Sequence, residues 1–203
     1  MLSIHTAYTI ANGRDWFGLK THACPVYVLQ TEIPQAQLRT RVIKYTIGNK
    51  VTSDKVWFAT EHYLKLDKGY GISELEKEII RTQPGLLIVD PLYKIVSGKM
   101  TDDYDMRQFL DRMDMLMAKY GFALILIHHE RKRQVFGGQV VDMGADDMFA
   151  TSIFIDWADS AVRSSIKADN EILLTIEKAR YAEREMKPIS VKIDRNNLNF
   201  TRM

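Results

Sequence analysis

The stretch Gly85-Leu86-Leu87-Ile88-Val89-Asp90-Pro91-Leu92 leads four apolar residues directly into an aspartate, and Pro84 precedes it. A short apolar run bounded by proline and glycine is typical of a fully buried strand. In open α/β sheets, ligands bind outside the carboxyl ends of the strands, which is where Asp90 would lie. A carboxylate there suits a hydrated Mg²⁺ on a nucleotide, because Mg²⁺ keeps most of its waters and needs only one or two carboxylates. The alternative is an ordinary aspartate that caps the next turn.

Three other predicted strands also lead into polar side chains. They comprise residues 25–29, the buried apolar run 122–127 and residues 172–176. The polar positions that follow the four strands are Glu32, Asp90, His128 with His129, and Lys178 with Arg180. One carboxylate can orient, or take a proton from, a water that attacks a γ-phosphate, while a second carboxylate holds the metal. Two cations separated by one residue on an extended segment point the same way, which lets them reach a phosphate together.

Length and composition favour one well-buried globular domain over residues 1–203, since the 203 residues are 46% hydrophobic and 27% charged. The net charge of +2 is too small to indicate nucleic-acid binding by itself. The single cysteine, Cys24, excludes an internal disulfide and fits a reducing compartment. No apolar run reaches the roughly 20 residues that span a bilayer, and the first residues lack the pattern of a signal peptide. We therefore expect a cytoplasmic protein with no membrane partner.

Helices are predicted before and between the strands of the first half of the chain. Apolar residues over positions 2–11 predict a helix that Asn12-Gly13 ends. A second helix begins at Pro34 and ends at Gly48-Asn49. Its apolar stripe comprises Leu38, Val42, Ile43 and Ile47. A short strand is predicted at residues 56–59.

The next segments continue the alternation. Residues 69–71 predict a loop, and Ser73 with Glu76 forms a capping box that starts a third helix. Asp102 or Asp103 caps a longer helix that Gly121 ends, with a methionine-rich stripe typical of core packing. Strands that alternate with helices indicate right-handed crossovers and a mostly parallel sheet flanked by helices. Beyond residue 160, three strand-like segments, 161–165, 172–176 and 189–193, indicate an antiparallel C-terminal extension of that sheet.

Six segments together carry a resemblance to a known family. They are residues 9–18 (TIANGRDWFG), 28–32 (VLQTE), 87–92 (LIVDPL), 126–129 (LIHH), 156–159 (DWAD) and 178–180 (KAR). In these segments the chain resembles the RecA-like P-loop ATPases, and most closely the branch of the hexameric replicative helicases that includes the plasmid helicase RepA. The resemblance covers most of the chain and implies one RecA-like ATPase domain.

The resemblance also implies a role for each polar position. Glu32 would polarise the attacking water, and Asp90 would be the Walker B carboxylate that holds Mg²⁺ through water. His128 or His129 would sense the γ-phosphate of ATP. Lys178 and Arg180 would act in trans on the nucleotide of the neighbouring subunit in a homo-oligomeric, hexameric ring. Single-stranded DNA would be the partner in the central channel, facing a loop that starts at Arg131-Lys132-Arg133.

One motif of the family is missing. The P-loop motif does not occur in the sequence; it consists of Gly, any four residues, Gly-Lys and then Ser or Thr. The helix over residues 2–11 resembles the helix that follows this P-loop, so we expect the first strand and the loop to lie before Met1, which makes the domain N-terminally incomplete. Without the amides and the lysine of the loop there is no cradle for the β- and γ-phosphates, so these 203 residues alone should bind ATP weakly or not at all.

Two other functions stay open at this point. One is a P-loop-free module that joins a ring or binds DNA without hydrolysis. The other is an ATPase of recombination, repair or regulation, which the same fold also serves. For Arg131, Lys132 and Arg133, the alternative to DNA contact is a solvated cationic turn.

Overall fold

The computed structural model describes residues 1–61, 63–98, 102–129, 153–183 and 185–203, together with the backbone of two short strands at 135–136 and 139–140. Predictions for other positions, including Arg131, Lys132 and Arg133, concern residues outside the described part of the chain. Within the described part, no helix is both long enough and apolar enough to cross a membrane.

A four-stranded parallel sheet forms the centre of the domain and confirms the predicted α/β class. Its strands are β1 (Val26–Gln30), β2 (Val56–Ala59), β3 (Leu86–Asp90) and β4 (Ala123–Leu126). They pair in the order β2-β1-β3-β4. The register sets Gln30 beside Asp90 and Leu126 beside Val89, so three strands end at one edge. The apolar run of β3 is buried as predicted, whereas β4 is only half-buried because it lies at the edge of the described sheet.

Helices cover both faces of this sheet. They are α1 (Leu2–Ala11), α2 (Gln35–Asn49), α3 (Gly69–Thr82), α4 (Leu92–Ile95), α5 (Asp103–Tyr120) and α6 (Ile153–Trp157). One face packs Leu29 and Leu87 into a cluster with Ile79 of α3 and Phe109 of α5. The methionine-rich stripe of α5 belongs to this core, as predicted. The other face of the sheet packs against α1, whose residues are buried almost all round.

A second, antiparallel sheet confirms the predicted C-terminal strands. It comprises β7 (Ser160–Ala168), β8 (Glu171–Ala179), β9 (Ile189–Asp194) and β10 (Asn199–Arg202). Their order is β10-β9-β8-β7, and in the described residues they form a sheet of their own rather than pairing with the parallel strands. The remaining strands, β5 (Val135–Phe136) and β6 (Gln139–Val140), form a short hairpin. The apolar face of the antiparallel sheet packs on Phe17 and on the first residues of α1.

Two local predictions were wrong. Helix α3 begins at Gly69, so residues 69–71 are helical and Ser73 and Glu76 lie inside the helix. Gly71 permits this early start because its backbone approaches the carbonyl of Lys65 so closely that a Cβ would overlap it. Glu76 does not cap α3; its carboxylate accepts hydrogen bonds from two side chains of α5.

The apolar stripe predicted for α2 is correct only in part. Leu38 is buried, whereas Ile43 and Ile47 are 45% and 74% exposed, and Tyr45 takes the core position instead. Tyr45 is drawn inward because its hydroxyl pairs with Nδ1 of the buried His5 at 3.1 Å. Pro34 is the residue before the helix rather than its first residue, since its ψ of 143° is extended.

Candidate active site at the carboxyl edge of the parallel sheet

The parallel register brings Glu32, Asp90 and the two histidines to one edge of the sheet. Thr31 N donates to the carbonyl of Asp90 at 3.0 Å, and Ile127 N donates to the carbonyl of Val89 at 2.9 Å. These bonds extend the strand pairing just beyond the ends of β1 and β4. Side chains that are about 60 and about 40 residues apart in sequence therefore lie at the same edge of the sheet, as the parallel order predicts.

Glu32 is held by a buried glutamine. Gln30 is only 3% exposed, and its Oε1 accepts hydrogen bonds from the backbone N–H of Glu32 at 3.1 Å and of Ile33 at 2.7 Å. This side-chain turn fixes the direction in which the chain leaves β1. The Glu32 carboxylate is 43% exposed, so it faces the solvent side of the edge, where a ligand has access.

Both oxygens of Glu32 have partners. The Tyr93 hydroxyl donates to Oε1 at 3.1 Å, and Nε2 of His129 lies 3.5 Å from Oε2. The rings of Tyr93 and His129 are tilted by 59° with centroids 6.0 Å apart. His128 is half-buried, whereas His129 is exposed. His129 is thus a predicted histidine that contacts Glu32 in the structure.

Asp90 is half-buried and is tied to the first turn of α1. Ser3 Oγ donates to Oδ2 of Asp90 at 2.7 Å. A carboxylate with a neighbouring hydroxyl presents the oxygen ligands that Mg²⁺ prefers. Within the described residues, no group of three or more His, Cys, Asp or Glu is arranged as a metal cage. Asp90 thus fits a Mg²⁺ that is held by one carboxylate, waters and phosphate oxygens.

Lys178 and Arg180 bind a different part of the molecule. Lys178 Nζ donates to the carbonyls of Ile155 at 2.6 Å and Asp156 at 3.0 Å, at the end of α6. Arg180 donates to the same Asp156 carbonyl at 3.0 Å and to the Asp159 carboxylate at 3.0 Å. The two cations point the same way, as predicted, and both cap the C-terminal end of α6. They join α6 to β8, whereas Glu32, Asp90 and His129 lie at the edge of the parallel sheet.

Three residues at this site did not emerge from the sequence: Ser3, Gln30 and Tyr93. Gln30 lies two residues before Glu32, and Tyr93 lies three residues after Asp90. This closeness in sequence to a predicted site residue is the signal that could have indicated both. Ser3 carries no such signal, because its contact with Asp90 spans 87 positions of the chain.

A cavity of about 340 Å³ lies elsewhere, between β2 and α3. Its lining includes Tyr27, Phe58 and Tyr70 with the carboxylates of Glu61, Glu74 and Glu78. Glu74 and Glu78 form ion pairs with Lys77 and Arg81 on the surface of α3. The residues that line this cavity do not include any of the predicted site residues, so the cavity is distinct from the cluster of Glu32, Tyr93 and His129.

Comparison with known proteins identifies the family. The family model described as AAA domain matches residues 1–135, about two thirds of the chain. The chain belongs to the AAA domain family. No curated protein matches the chain in sequence.

Solved structures confirm the RecA-like architecture of this AAA domain. A DnaB-like replicative helicase, described with its interactions with primase, superposes with a TM-score of 0.68 at 12% identity. The match covers 98% of this chain and 54% of the helicase chain, so the present chain spans about half of that relative. A KaiC-like protein from the hyperthermophilic archaeon Pyrococcus horikoshii OT3 gives a TM-score of 0.62 at 14% identity, covering 97% of this chain and 80% of the other. Both likenesses show the fold.

Proposed function

We propose that this chain is the core of an ATP-hydrolysing motor of the helicase type that acts on DNA in replication. The observation that carries the proposal is the placement of Glu32, Asp90 and His129 at the carboxyl edge of one parallel sheet in an AAA domain, with Glu32 and His129 in contact. The fold likeness to a DnaB-like replicative helicase is compatible with a motor of the helicase type.

Each residue at the edge has a chemical role in this proposal. Glu32 orients the attacking water and accepts its proton, because its carboxylate is exposed and positioned. Asp90 holds Mg²⁺ through water, and the Ser3 hydroxyl keeps Oδ2 in place. Mg²⁺, when bound with ATP, neutralises charge on the β- and γ-phosphates. His128 or His129 senses the γ-phosphate, and the contact between His129 and Glu32 links His129 to the water-orienting carboxylate.

The proposal includes a strand and a P-loop that complete the nucleotide site from outside the 203 residues. Two observations support it. Strand β4 consists mostly of large apolar residues yet is only half-buried at the sheet edge, which suits one more neighbouring strand. The first turn of α1 touches Asp90 through Ser3, so a loop that precedes α1 would arrive beside the metal carboxylate.

The remaining partners belong to the same proposal. In a homo-oligomeric ring, Lys178 and Arg180 would exchange the carbonyls of α6 for phosphate oxygens on the neighbouring subunit's ATP. Arg180 is suited to this exchange because its side chain is 44% exposed. A hexamer is the ring size we propose, and the cytoplasm is the location, since Cys24 requires no oxidising compartment.

The experiment that tests the proposal is the replacement of Asp90 by Asn in a protein that carries this domain and its P-loop. Asparagine keeps an acceptor for Ser3 but loses the charge that holds Mg²⁺, so we expect Mg²⁺-dependent ATP hydrolysis to fall by about 100-fold or more. Turnover is measured against Mg²⁺ concentration. The matched control is Asp54→Asn, at an exposed aspartate, which should behave as wild type. Full turnover in Asp90→Asn would contradict the role of Asp90, and a wild-type protein without Mg²⁺-dependent hydrolysis would contradict the ATPase proposal.

Contact with single-stranded DNA is tested separately. Replacing Arg131, Lys132 and Arg133 together by Ala should weaken binding and flatten the salt dependence by about three units of slope, because each phosphate contact releases a counterion. Binding is measured by fluorescence anisotropy across a salt series. Replacing the exposed Arg39, Lys44 and Lys50 by Ala removes the same charge and should leave the slope unchanged. Equal slopes in wild type and the first variant would indicate a solvated turn.

The alternatives are outcomes of the same measurements. DNA binding without hydrolysis in a protein that lacks a P-loop would identify a non-hydrolysing, ring-forming module. Hydrolysis stimulated by DNA, but without strand separation, would favour a recombination or repair ATPase over a helicase.

A further inference from the structure

Tyr93 connects two of the polar groups at the sheet edge. It lies on α4, the single helical turn that follows β3, while Glu32 follows β1 and His129 follows β4. Its hydroxyl donates to Oε1 of Glu32 at 3.1 Å, and its ring lies 6.0 Å from the ring of His129. Three adjacent strands thus each supply one member of a continuous cluster.

The helical turn that carries Tyr93 is anchored in the core. Leu92 and Ile95, on the same helical turn, are 1% and 0% exposed. Leu92 N donates to the carbonyl of Ile127 at 2.7 Å, which ties α4 to the end of β4. Lys65 Nζ reaches over to the carbonyl of Lys94. The phenol of Tyr93 therefore extends from a segment that is anchored to the core and to the neighbouring strand.

Glu32, in contrast, has a long side chain that is 43% exposed, and such a side chain samples several rotamers unless it is held. A carboxylate that orients a water must occupy one position to within a fraction of an ångström. Gln30 fixes only the backbone of Glu32. The hydrogen bond from Tyr93 is what restrains the carboxylate itself, and it leaves Oε2 facing His129.

We propose that Tyr93 is a positioning residue for the Glu32 carboxylate: it anchors Oε1 so that Oε2 is presented to His129 and to the attacking water. This inference rests on the proposed role of Glu32 in ATP hydrolysis. It assigns Tyr93 no contact with the nucleotide, and it ties the water-orienting carboxylate to the same segment that carries Asp90.

The ionisation of Tyr93 is consistent with a donor role. Burial and the hydrogen bond to the negatively charged Glu32 raise the pKa of Tyr93 above its ordinary value, so the phenol keeps its proton at neutral pH. The charged and titratable groups around it are Glu32, His129 and Lys94, whose Nζ lies 5.4 Å from the ring centroid.

The first test uses the 203-residue chain and needs no activity. The pKa of Tyr93 is obtained from the difference between the absorbance titrations at the tyrosinate band of wild type and of Tyr93→Phe. We expect Glu32→Gln to lower this pKa, because the negative neighbour is lost. Tyr104→Phe, at a tyrosine that is 71% exposed, is the matched control variant. A Tyr93 pKa that is equal in wild type and Glu32→Gln would overturn the proposed contact.

The second test uses the protein that includes the P-loop. Tyr93→Phe should lower kcat for ATP about tenfold with KM unchanged. A merely structural role of Tyr93 would change kcat and KM together rather than kcat alone. If Glu32→Gln retains full turnover, the proposed role of Glu32 fails; if Glu32→Gln inactivates and Tyr93→Phe matches wild type, only the Tyr93 inference fails.

Discussion

Glu32→Gln, in a protein that carries this domain together with its P-loop, is expected to lower kcat for ATP hydrolysis by about 10²–10⁴-fold, the range for loss of a general base. Glutamine has the same length and keeps an oxygen that can accept from the Tyr93 hydroxyl, so the packing at the sheet edge is preserved. It cannot take a proton from water, and it loses the charge that faces Nε2 of His129. The deficit should therefore lie in the chemical step.

The measurement is steady-state turnover combined with nucleotide affinity by calorimetry. We expect ATP affinity to change by less than about threefold, because Glu32 polarises water and does not cradle phosphate. Glu183→Gln, at an exposed glutamate, is the matched control and should behave as wild type. If Glu32→Gln keeps full turnover while Asp90→Asn is inactive, then the general base is not Glu32 but another group at the same edge of the sheet.

The second large effect concerns His5 in the core of the domain. His5 is 7% exposed, stacks on Phe17 with ring centroids 5.0 Å apart and lies 5.2 Å from the ring of Phe200. The Tyr45 hydroxyl is 3.1 Å from its Nδ1. Burial among these rings lowers the pKa of His5 to about 4 from an ordinary value of 6.5. His5 is therefore neutral in the folded protein at neutral pH.

The sign of the pH effect follows from proton binding. Between about pH 6.5 and about pH 4 the unfolded chain binds a proton on His5 that the folded protein does not bind. The free energy of unfolding is therefore highest above pH 6.5 and falls as the pH drops towards 4. Lowering the pKa of His5 from 6.5 to about 4 corresponds to about 3 kcal/mol in the free energy of unfolding. About 2 kcal/mol of this stability is lost between pH 7 and pH 5.

The test compares urea unfolding at pH 7 and pH 5 for wild type and His5→Phe. Phenylalanine keeps an aromatic ring in the cluster and removes the titrating group, and Thr9 still offers the Tyr45 hydroxyl a hydrogen bond. We expect wild type to lose about 2 kcal/mol more than the variant on acidification. His22→Gln, at an exposed histidine, should follow wild type. Equal pH dependence in wild type and His5→Phe would contradict a neutral buried His5.

The candidate site at the carboxyl edge of the parallel sheet shows which features can be predicted from the sequence and which cannot. The strands β1 and β3 and the polar residues at their ends could be predicted, because apolar runs bounded by proline and glycine encode buried strands locally. Tyr93 could not be assigned, because its partners Glu32 and His129 follow other strands and meet it only through the parallel register. Lys178 and Arg180 illustrate the same limit: their shared direction was predictable from an extended backbone, but the carbonyls of α6 that they bind were not.

The sequence by itself determined the alternation of strands and helices, the Asp102 and Gly121 caps of α5 and the family of this domain, because propensity, capping and periodicity act over a few residues. Only the tertiary structure decided where α3 begins, which side of α2 is buried and which side chains hold Glu32 and Asp90. Those outcomes depend on the approach of Gly71 to Lys65, on the pairing of Tyr45 with His5 and on contacts such as Ser3 with Asp90. Each of these contacts joins segments that no local sequence pattern relates. The local sequence leaves several conformations nearly equal in free energy, and tertiary packing selects one of them.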